Sequence, residues 1–245
     1  ISAVQEKQIT TLSDNIYPVE VDGSFDDCQE MVKDALTDKD LITKINFTSA
    51  NSINISRWIP QTLYYFFAYK QIEKKKEDLI FSIPSGNFGN LFACLVSSGM
   101  GLPVKRIIAS NNLNYTFTKF INSNKYKPSK SIRTISSAMD VGDPSNFVRV
   151  LEYFSNQGTE MKEFISAYSI GDRETKLGIK ELKERYDYLC DPHGAVGYMG
   201  NKKDKEFDNN INYIFLETAH YSKFMEEMKN VISSSISYPE RIKKV

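Results

Sequence analysis

The chain has 245 residues, and its 31 basic and 31 acidic side chains cancel to a formal net charge of zero at pH 7. This balance argues against the electropositive surface that binding to nucleic acid requires. No apolar run approaches the roughly 18 residues of a membrane-spanning helix. We therefore expect neither nucleic acid nor a membrane as partner. The length suffices for one large domain or one and a half, with a sizeable buried core.

The cysteines and histidines are few and far apart in the sequence. Cys28, Cys94 and Cys190 are odd in number, and no pair of them has the spacing of metal ligands. They are typical of buried thiols in a reducing compartment, so we expect a cytoplasmic protein. With only His193 and His220, a histidine-rich metal centre is not expected.

The first third of the chain predicts a strand–helix unit followed by further elements. Residues 16–21 alternate like a strand, and Pro18 favours an edge position. Ser24 with Asp27 three residues later has the pattern of a capping box, which predicts a helix over 25–36.

Residues 42–47 form a second strand candidate. Residues 58–72 are so rich in large apolar and aromatic side chains that they predict a helix buried on most sides. The charged run 73–78 is interpreted as the solvated end of that helix.

A glycine turn follows the apolar run 79–83 and precedes a second apolar run. Gly86 and Gly89 let the backbone turn sharply and expose consecutive N–H groups, and a helix starting there adds the positive end of its dipole. The pattern therefore predicts a seat for a phosphate, with Ser85 and Asn87 as side-chain donors. The motifs of nucleoside triphosphate and dinucleotide binding are absent. A tight strand-to-helix turn without a ligand is the alternative.

Strands and helices alternate along the rest of the chain. The apolar patterns predict a helix end near Gly99, a strand at 104–109, helices near 113–123, 145–156 and 173–189, and a last strand at 211–216 that leads into a helix. This alternation predicts an α/β fold with a mostly parallel twisted sheet and helices on both faces. Polar clusters follow three of the strands, at 86–90, 111–112 and 217–220, which predicts one ligand site at the carboxyl edge of the sheet.

Several segments, in this order and spacing, resemble the threonine synthases, a family of pyridoxal-phosphate enzymes of fold type II. The matching segments are 12–29, 49–54 with Arg57 and Gln61, 84–90, 100–103, 137–146, 191–193 and 217–220. They cover most of the chain, up to roughly residue 230. The resemblance implies the conversion of O-phosphohomoserine and water to threonine and phosphate, with pyridoxal 5'-phosphate (PLP) as electron sink.

The resemblance also implies roles for individual residues. The loop that would bind the cofactor phosphate comprises Ser85, Gly86, Asn87, Phe88, Gly89 and Asn90. Thr218 matches the hydroxyl partner of the pyridine nitrogen. Without the resemblance, a residue at the end of a strand that caps the next helix is an equal interpretation of Thr218.

Asn51, Asn54 and Arg57 are the candidates for binding the substrate. If a helix begins near Ser52, Asn54 and Arg57 share one face, and the guanidinium suits a phosphate or a carboxylate. A capping asparagine beside a surface arginine is the alternative.

The two histidines carry weaker signals. A lone histidine is usually structural. Gly194 and Tyr221 stand where the family usually has Thr and Pro, which leaves the roles of His193 and His220 open. Asp140 and Asp143 are interpreted as turn residues before a helix.

One expected feature is missing from the sequence. No lysine matches the motif of the family's Schiff-base lysine; Lys7 lies in a different Gln-Glu-Lys stretch. The chain begins at Ile1 without signal-peptide features, so we expect the later part of a longer enzyme. Residues 1–45 are then the tail of a smaller α/β domain and 46–245 most of the large cofactor domain, with the site between them.

The alternatives are a non-catalytic phosphate- or PLP-binding module, such as a decayed relative, and another fold type II β-replacement lyase. The segment alone is expected to be inactive without the lysine. The sequence gives no indication of the oligomeric state.

Overall fold

The computed structural model describes residues 3–72, 78–155, 160–204, 208, 210–232 and 236–242. The helices are α1 Ala3–Thr10, α2 Phe25–Thr37, α3 Lys39–Ile42, α4 Ile55–Trp58, α5 Thr62–Lys70, α6 Gly89–Gly99, α7 Thr116–Ser123, α8 Phe147–Ser155, α9 Met161–Phe164, α10 Asp172–Tyr186, α11 Pro192–Lys203 and α12 Met225–Val231. The strands are β1 Leu79–Pro84, β2 Val104–Asn111, β3 Ile165–Ser169 and β4 Asn212–Phe215, and 3₁₀ turns lie at Ser137–Met139 and Tyr221–Phe224. No helix among these residues has the length and apolarity needed to cross a bilayer.

The four strands form one parallel sheet in the order β3-β2-β1-β4. Phe81 of β1 lies opposite Ile107 of β2 on one side and Ile214 of β4 on the other. All six residues of β1 are buried, as expected for a parallel sheet covered on both faces. The predicted α/β class and the strands at 79–83, 104–109 and 211–216 are therefore confirmed. β3 and α11 were not predicted.

Helices cover both faces of the sheet. Phe81 and Ile83 point into the larger core, which includes side chains of α5, α6 and α8. On the opposite face, α11 lies directly on the strands, since the Ser82 hydroxyl donates to the Gly197 carbonyl over 2.6 Å. A Cβ added at Gly200 would lie 1.9 Å from the Ser110 Oγ, so α11 approaches this closely only because that residue is a glycine.

The capping box before α2 is confirmed. The Ser24 hydroxyl accepts a hydrogen bond from the Asp27 amide at 3.3 Å, and the Asp27 carboxylate accepts one from the Ser24 amide at 2.6 Å. These reciprocal bonds satisfy two donors at the helix start. The observed helix, Phe25–Thr37, agrees with the predicted range 25–36.

The two strands predicted near the start of the chain are wrong. Residues 16–21 are irregular, and the Tyr17 and Val19 side chains are 84% and 82% exposed, so the alternation has no buried face. The segment 42–47 begins with the last residue of α3 and is irregular after it. The helix α3 itself begins where the Asp38 carboxylate caps the Asp40 and Leu41 amides. Alternation makes a strand only where a neighbouring strand accepts its hydrogen bonds.

The helix predicted over 58–72 is instead two helices, α4 and α5. They are separated around Pro60, which has no N–H group with which to continue the hydrogen bonds of α4. The predicted burial on most sides is also wrong: Leu63, Tyr64 and Phe67 are exposed, whereas Trp58 and Tyr65 are buried. Of the charged run 73–78, residues 73–77 lie outside the described part of the chain.

A buried ion pair holds the amino end of β2 to the end of α11. The Arg106 guanidinium donates to both carboxylate oxygens of Asp204, at 3.1 and 2.6 Å, and both residues are buried. The Tyr168 hydroxyl donates to the same carboxylate at 3.2 Å. This pair lies at the opposite edge of the sheet from the carboxyl ends of the strands.

We predict that Asp204→Ala lowers the free energy of unfolding by about 3–5 kcal/mol, because it removes the carboxylate from a buried guanidinium. Asp78→Ala is the matched control, since it breaks an exposed pair with Lys105 and should change stability little. Urea unfolding followed by circular dichroism measures both. Equal losses in the two variants would contradict the prediction.

Candidate functional site

The loop between β1 and α6 turns sharply at a residue with left-handed backbone. Phe88 has φ 64° and ψ 7°, a conformation that costs free energy for any residue other than glycine. Its ring is buried and packs against Phe117 at a centroid distance of 4.7 Å. Packing of this ring therefore stabilises the turn that starts α6 at Gly89.

The same loop presents consecutive backbone donors. Among the described residues, the N–H groups of 86–90 have no hydrogen-bond partner. They lie at the N-terminus of an 11-residue helix, where the dipole favours negative charge. Five such donors in a row form a cradle for an anionic group. The predicted strand, turn and helix are confirmed; phosphate binding stays a prediction.

Side-chain donors hold the carbonyl groups of this loop. The Asn111 amide donates to the Ser85 carbonyl at 2.8 Å, and the buried Tyr65 hydroxyl donates to the Asn90 carbonyl at 2.6 Å. The Asn146 amide donates to the Asn87 carbonyl at 2.9 Å. The bonds to Ser85 and Asn87 fix the peptide units whose N–H groups, those of Gly86 and Phe88, have no partner among the described residues.

The two predicted side-chain donors are used within the protein. The buried Ser85 hydroxyl donates to the Ile83 carbonyl at 2.8 Å. The Asn87 amide donates to Gln29 at 3.2 Å and to Ser52 at 2.9 Å. The Asn87 side-chain oxygen accepts hydrogen bonds from the amide and the hydroxyl of Ser145, at 2.6 and 2.9 Å. The cradle is therefore built from backbone groups.

Two glycines of the loop are required by close contacts. A Cβ added at Gly86 would lie 2.8 Å from the Met139 Cα and 3.2 Å from the Ala138 carbonyl oxygen. A Cβ at Gly89 would lie 3.1 Å from the Ser52 Cβ. The Ser137–Met139 turn and the 49–54 segment thus form two walls against the loop.

Sequence reasoning missed the residues that support these walls. The Asn146 side chain is fully buried and also donates to the Ser52 hydroxyl at 3.0 Å. The Arg149 guanidinium bonds to the Asn146 oxygen and donates to the Ile53 carbonyl at 2.8 Å. Ser52 and Asn146 lie inside segments that carry the resemblance, but their long-range partners leave no local signal.

The structure gives the three substrate candidates different surroundings. The Asn54 side chain caps α4, accepting from the Ser56 amide at 3.0 Å and donating to the Ser49 carbonyl at 2.8 Å. The helix begins at Ile55 rather than near residue 52. The Asn51 oxygen accepts from the following amide. Arg57 is exposed, and within the described residues its guanidinium has no partner. The alternative of a capping asparagine beside a surface arginine therefore describes the local contacts.

At the end of β4, Thr218 is exposed and its hydroxyl has no partner in the described part of the chain. The preceding Glu217 carboxylate accepts from the Asp191 amide at 3.1 Å. Asp191 in turn caps α11 by accepting from the amides of His193 at 2.8 Å and Gly194 at 3.3 Å. The end of β4 is thus tied to the start of α11.

His193 extends this connection to the turn beside the 86–90 loop. Its Nδ1 lies 2.5 Å from the Asp191 carboxylate, and its Nε2 accepts from the Ala138 amide at 3.2 Å. His220, by contrast, is exposed and caps the following turn through Ser222. The polar clusters at 86–90, 111–112 and 217–220 therefore meet at one edge of the sheet, as predicted.

Gly194 lies where an added Cβ would be 2.5 Å from the Cys190 sulfur, so the buried thiol excludes a larger residue there. Burial raises the pKa of the Cys190 thiol. Donor atoms of Cys190, Asp191 and Glu217 lie within 4.8 Å of one another. Both carboxylates in this group accept hydrogen bonds from the protein.

Burial raises the pKa of the Glu217 carboxyl above 4.5, against an opposing hydrogen bond from the Asp191 amide. The folded protein therefore holds this proton more tightly than the unfolded chain. The stability that the group contributes is fully present below pH 4.5 and is lost as the pH rises through the folded-state pKa.

We predict that wild type loses stability relative to Glu217→Gln when the pH rises from about 4 to about 7. The glutamine retains an acceptor for the Asp191 amide but does not titrate. Urea unfolding of both proteins at several pH values measures the difference. A difference that is constant, or that changes in favour of wild type, would show the sign of the pKa shift to be wrong.

The fold and the site define an α/β protein with a cradle for an anionic group at the carboxyl edge of a parallel sheet. The family described as "Pyridoxal-phosphate dependent enzyme" matches residues 2–216. The chain belongs to this family, whose cofactor is PLP.

Individual relatives carry a more specific name. A threonine synthase of Buchnera aphidicola subsp. Schizaphis graminum is 42% identical over 247 residues, which cover 99% of this chain and 56% of that protein. The crystal structure of threonine synthase from Escherichia coli matches with a TM-score of 0.92 and 38% identity, over 98% of this chain and 56% of that one.

A PLP-bound threonine synthase from Brucella melitensis matches with a TM-score of 0.83 and 28% identity, over 99% of this chain and 57% of that one. The resemblance and the fold type II architecture inferred from the sequence are thus confirmed. The chain spans little more than half the length of these relatives.

Proposed function

We propose that residues 86–90 bind the phosphate of PLP in an enzyme that converts O-phosphohomoserine and water to threonine and phosphate. The observation that carries the proposal is the run of five unpaired N–H groups at the start of α6. When bound, PLP supplies a pyridine ring that accepts electrons as protons leave the substrate. The chain's own residues bind and orient that ring.

Thr218 is the proposed partner of the pyridine nitrogen. It follows β4, which is adjacent to β1 in the sheet, so both lead to the same edge. Its hydroxyl is available, since it has no partner among the described residues. A hydroxyl leaves the ring nitrogen less protonated than a carboxylate would, which suits elimination and replacement at the substrate's side chain.

The proposed site for the substrate's anionic groups is formed by Asn51, Asn54 and Arg57. The contacts favour Arg57 as the ligand, because its guanidinium is available and its planar fork suits phosphate. Asn54 then acts by starting α4 and thereby orienting Arg57. Ser52, which touches the phosphate loop, keeps this segment beside the cradle.

The covalent lysine of the cofactor is proposed to lie outside this chain, whose residues match no such motif. We further propose that 1–45 belong to a smaller α/β domain, that 46–245 form most of the large one, and that the enzyme is cytoplasmic. A non-catalytic PLP-binding module is the alternative that activity measurements would reveal.

To test the cradle, we predict that Gly86→Ala raises the dissociation constant of PLP at least about tenfold, because its Cβ would meet the Met139 backbone. Gly99→Ala is the matched control at the other end of α6, where the added Cβ meets only Tyr153 at 3.4 Å. Both variants are made in the protein expressed from its complete coding sequence, and PLP binding is measured by equilibrium dialysis.

The same preparations are assayed for threonine and phosphate release from O-phosphohomoserine. Equal PLP affinity of Gly86→Ala and Gly99→Ala would refute the cradle. PLP binding by wild type without threonine formation would favour the non-catalytic module, and product formation from a different amino-acid substrate would favour another β-replacement lyase.

We predict that Thr218→Val lowers kcat about 10- to 100-fold, the equivalent of one lost hydrogen bond to a polarised group. Thr218→Ser should retain most of the activity because it keeps the hydroxyl. Steady-state kinetics with saturating PLP separate this effect from cofactor loss. Activity of the valine variant equal to that of the serine variant would exclude a role for the hydroxyl.

A further inference from the structure

We infer that His193 is a positioning residue, which holds the Ser137–Met139 turn against the phosphate loop through a hydrogen bond that only its Nε2 atom can accept. The inference rests on the proposed binding of PLP at 86–90. It assigns to this histidine a defined tautomer and a defined effect on cofactor affinity.

The tautomer follows from the two partners of the ring. The Ala138 amide can only donate, and it lies 3.2 Å from Nε2. Nε2 must therefore carry a lone pair, and the proton of the neutral ring lies on Nδ1. Nδ1 is 2.5 Å from the Asp191 carboxylate, which accepts a hydrogen bond from the Nδ1–H group. Both residues are buried, at 2% and 0% exposure, so water does not compete for either bond.

The ring is fixed in orientation as well as in protonation. The Phe224 ring lies against it at a centroid distance of 4.8 Å. The Asp191 carboxylate is itself fixed, because it also accepts the amides at the start of α11. The Nε2 lone pair therefore has one available direction, toward the Ala138 amide.

The turn that His193 holds forms one wall of the cradle. The carbonyl oxygen of Ala138 and the Cα of Met139 are the atoms nearest to a Cβ added at Gly86. The Met139 side chain is buried with Ile170 and Val196, which anchors the other side of the turn. If the turn shifted, its backbone would therefore move toward or away from the first N–H groups of the loop.

The same network reaches the second proposed cofactor contact. Asp191 donates its amide to Glu217, the neighbour of Thr218. One chain of hydrogen bonds thus runs from the end of β4, through Asp191 and His193, to the wall of the cradle. The phosphate and the pyridine ring of PLP are joined by a short arm, so the two contacts must lie within a narrow range of separations, which this network helps to set.

A histidine that merely fills space in the core would behave differently on substitution. His193→Leu fills the volume without an acceptor, whereas His193→Gln can place an amide oxygen near the position of Nε2. We expect the dissociation constant of PLP to rise about tenfold or more in His193→Leu and to recover most of the wild-type value in His193→Gln. Ile211→Ala is the control for general loss of stability, because Ile211 packs in a separate core near the amino end of β4, and the PLP affinity of this variant should be unchanged.

The tautomer is measured separately, in the PLP-free protein expressed from its complete coding sequence. Long-range ¹H–¹⁵N spectra should show a neutral His193 ring with Nδ1 protonated and Nε2 unprotonated; the signal is assigned by its loss in His193→Gln. In Asp191→Asn the amide can present an N–H to Nδ1, so the population of the other tautomer should rise.

The outcomes separate the two proposals. Absence of PLP binding by wild type would overturn the proposed function and the inference with it. Binding by wild type with unchanged affinity in His193→Leu would overturn the inference alone. Equal loss in the leucine and glutamine variants, or a proton on Nε2 in wild type, would also overturn it, because the acceptor would then not be what matters.

Discussion

The rest of the site depends on one constraint: the peptide units of residues 86–90 are held with N–H groups that have no partner in the part of the chain that the structure describes. A backbone donor without a partner costs free energy when it is removed from water, so such a run persists only if other contacts stabilise it. Here the contacts are on the carbonyl side, where Asn111, Asn146 and Tyr65 donate to the loop. An anion bound at the helix start would satisfy the donors that folding leaves open.

This arrangement explains why the supporting residues come from distant parts of the chain. Asn146 immediately precedes α8, Tyr65 lies in α5, and both reach the loop because α5, α6 and α8 share the larger core. The opposite wall is fixed from the other face of the sheet, where Asp191 caps the start of α11. The parallel topology brings these elements together, since the carboxyl ends of all four strands share one edge.

Local signals in the sequence predict the structure correctly. The apolar run before Gly86 indicated a buried strand, and the spacing of Ser24 and Asp27 indicated a helix start, because each depends on neighbours within a few residues. The strand predicted at 16–21 is wrong, because no burial accompanies the alternation there. β3 carries no signal of a strand, since its Ile-Ser-Ala-Tyr-Ser sequence has no continuous apolar run and follows α9 directly. The backbone turn of the candidate cradle is predictable, because its signal is local. The hydrogen bonds of the Asn87 amide within the protein are not, since its partners lie 35 and 58 residues away.

A cradle made of backbone groups responds to mutation differently from one made of side chains. Replacing a side-chain ligand removes one donor, whereas every residue except proline retains its N–H group, so affinity at 86–90 is sensitive mainly to packing that moves the backbone. The close contacts of Gly86 with the Ser137–Met139 turn and of Gly89 with Ser52 are therefore as important to the proposed binding as the donors themselves. The other end of the site differs, because the single hydroxyl of Thr218 is the proposed ligand there. Removing it leaves no donor or acceptor in its place. We therefore expect cofactor affinity to depend on how closely the two walls pack against the 86–90 loop. The electronic properties of the pyridine ring are expected to depend on one side chain, that of Thr218.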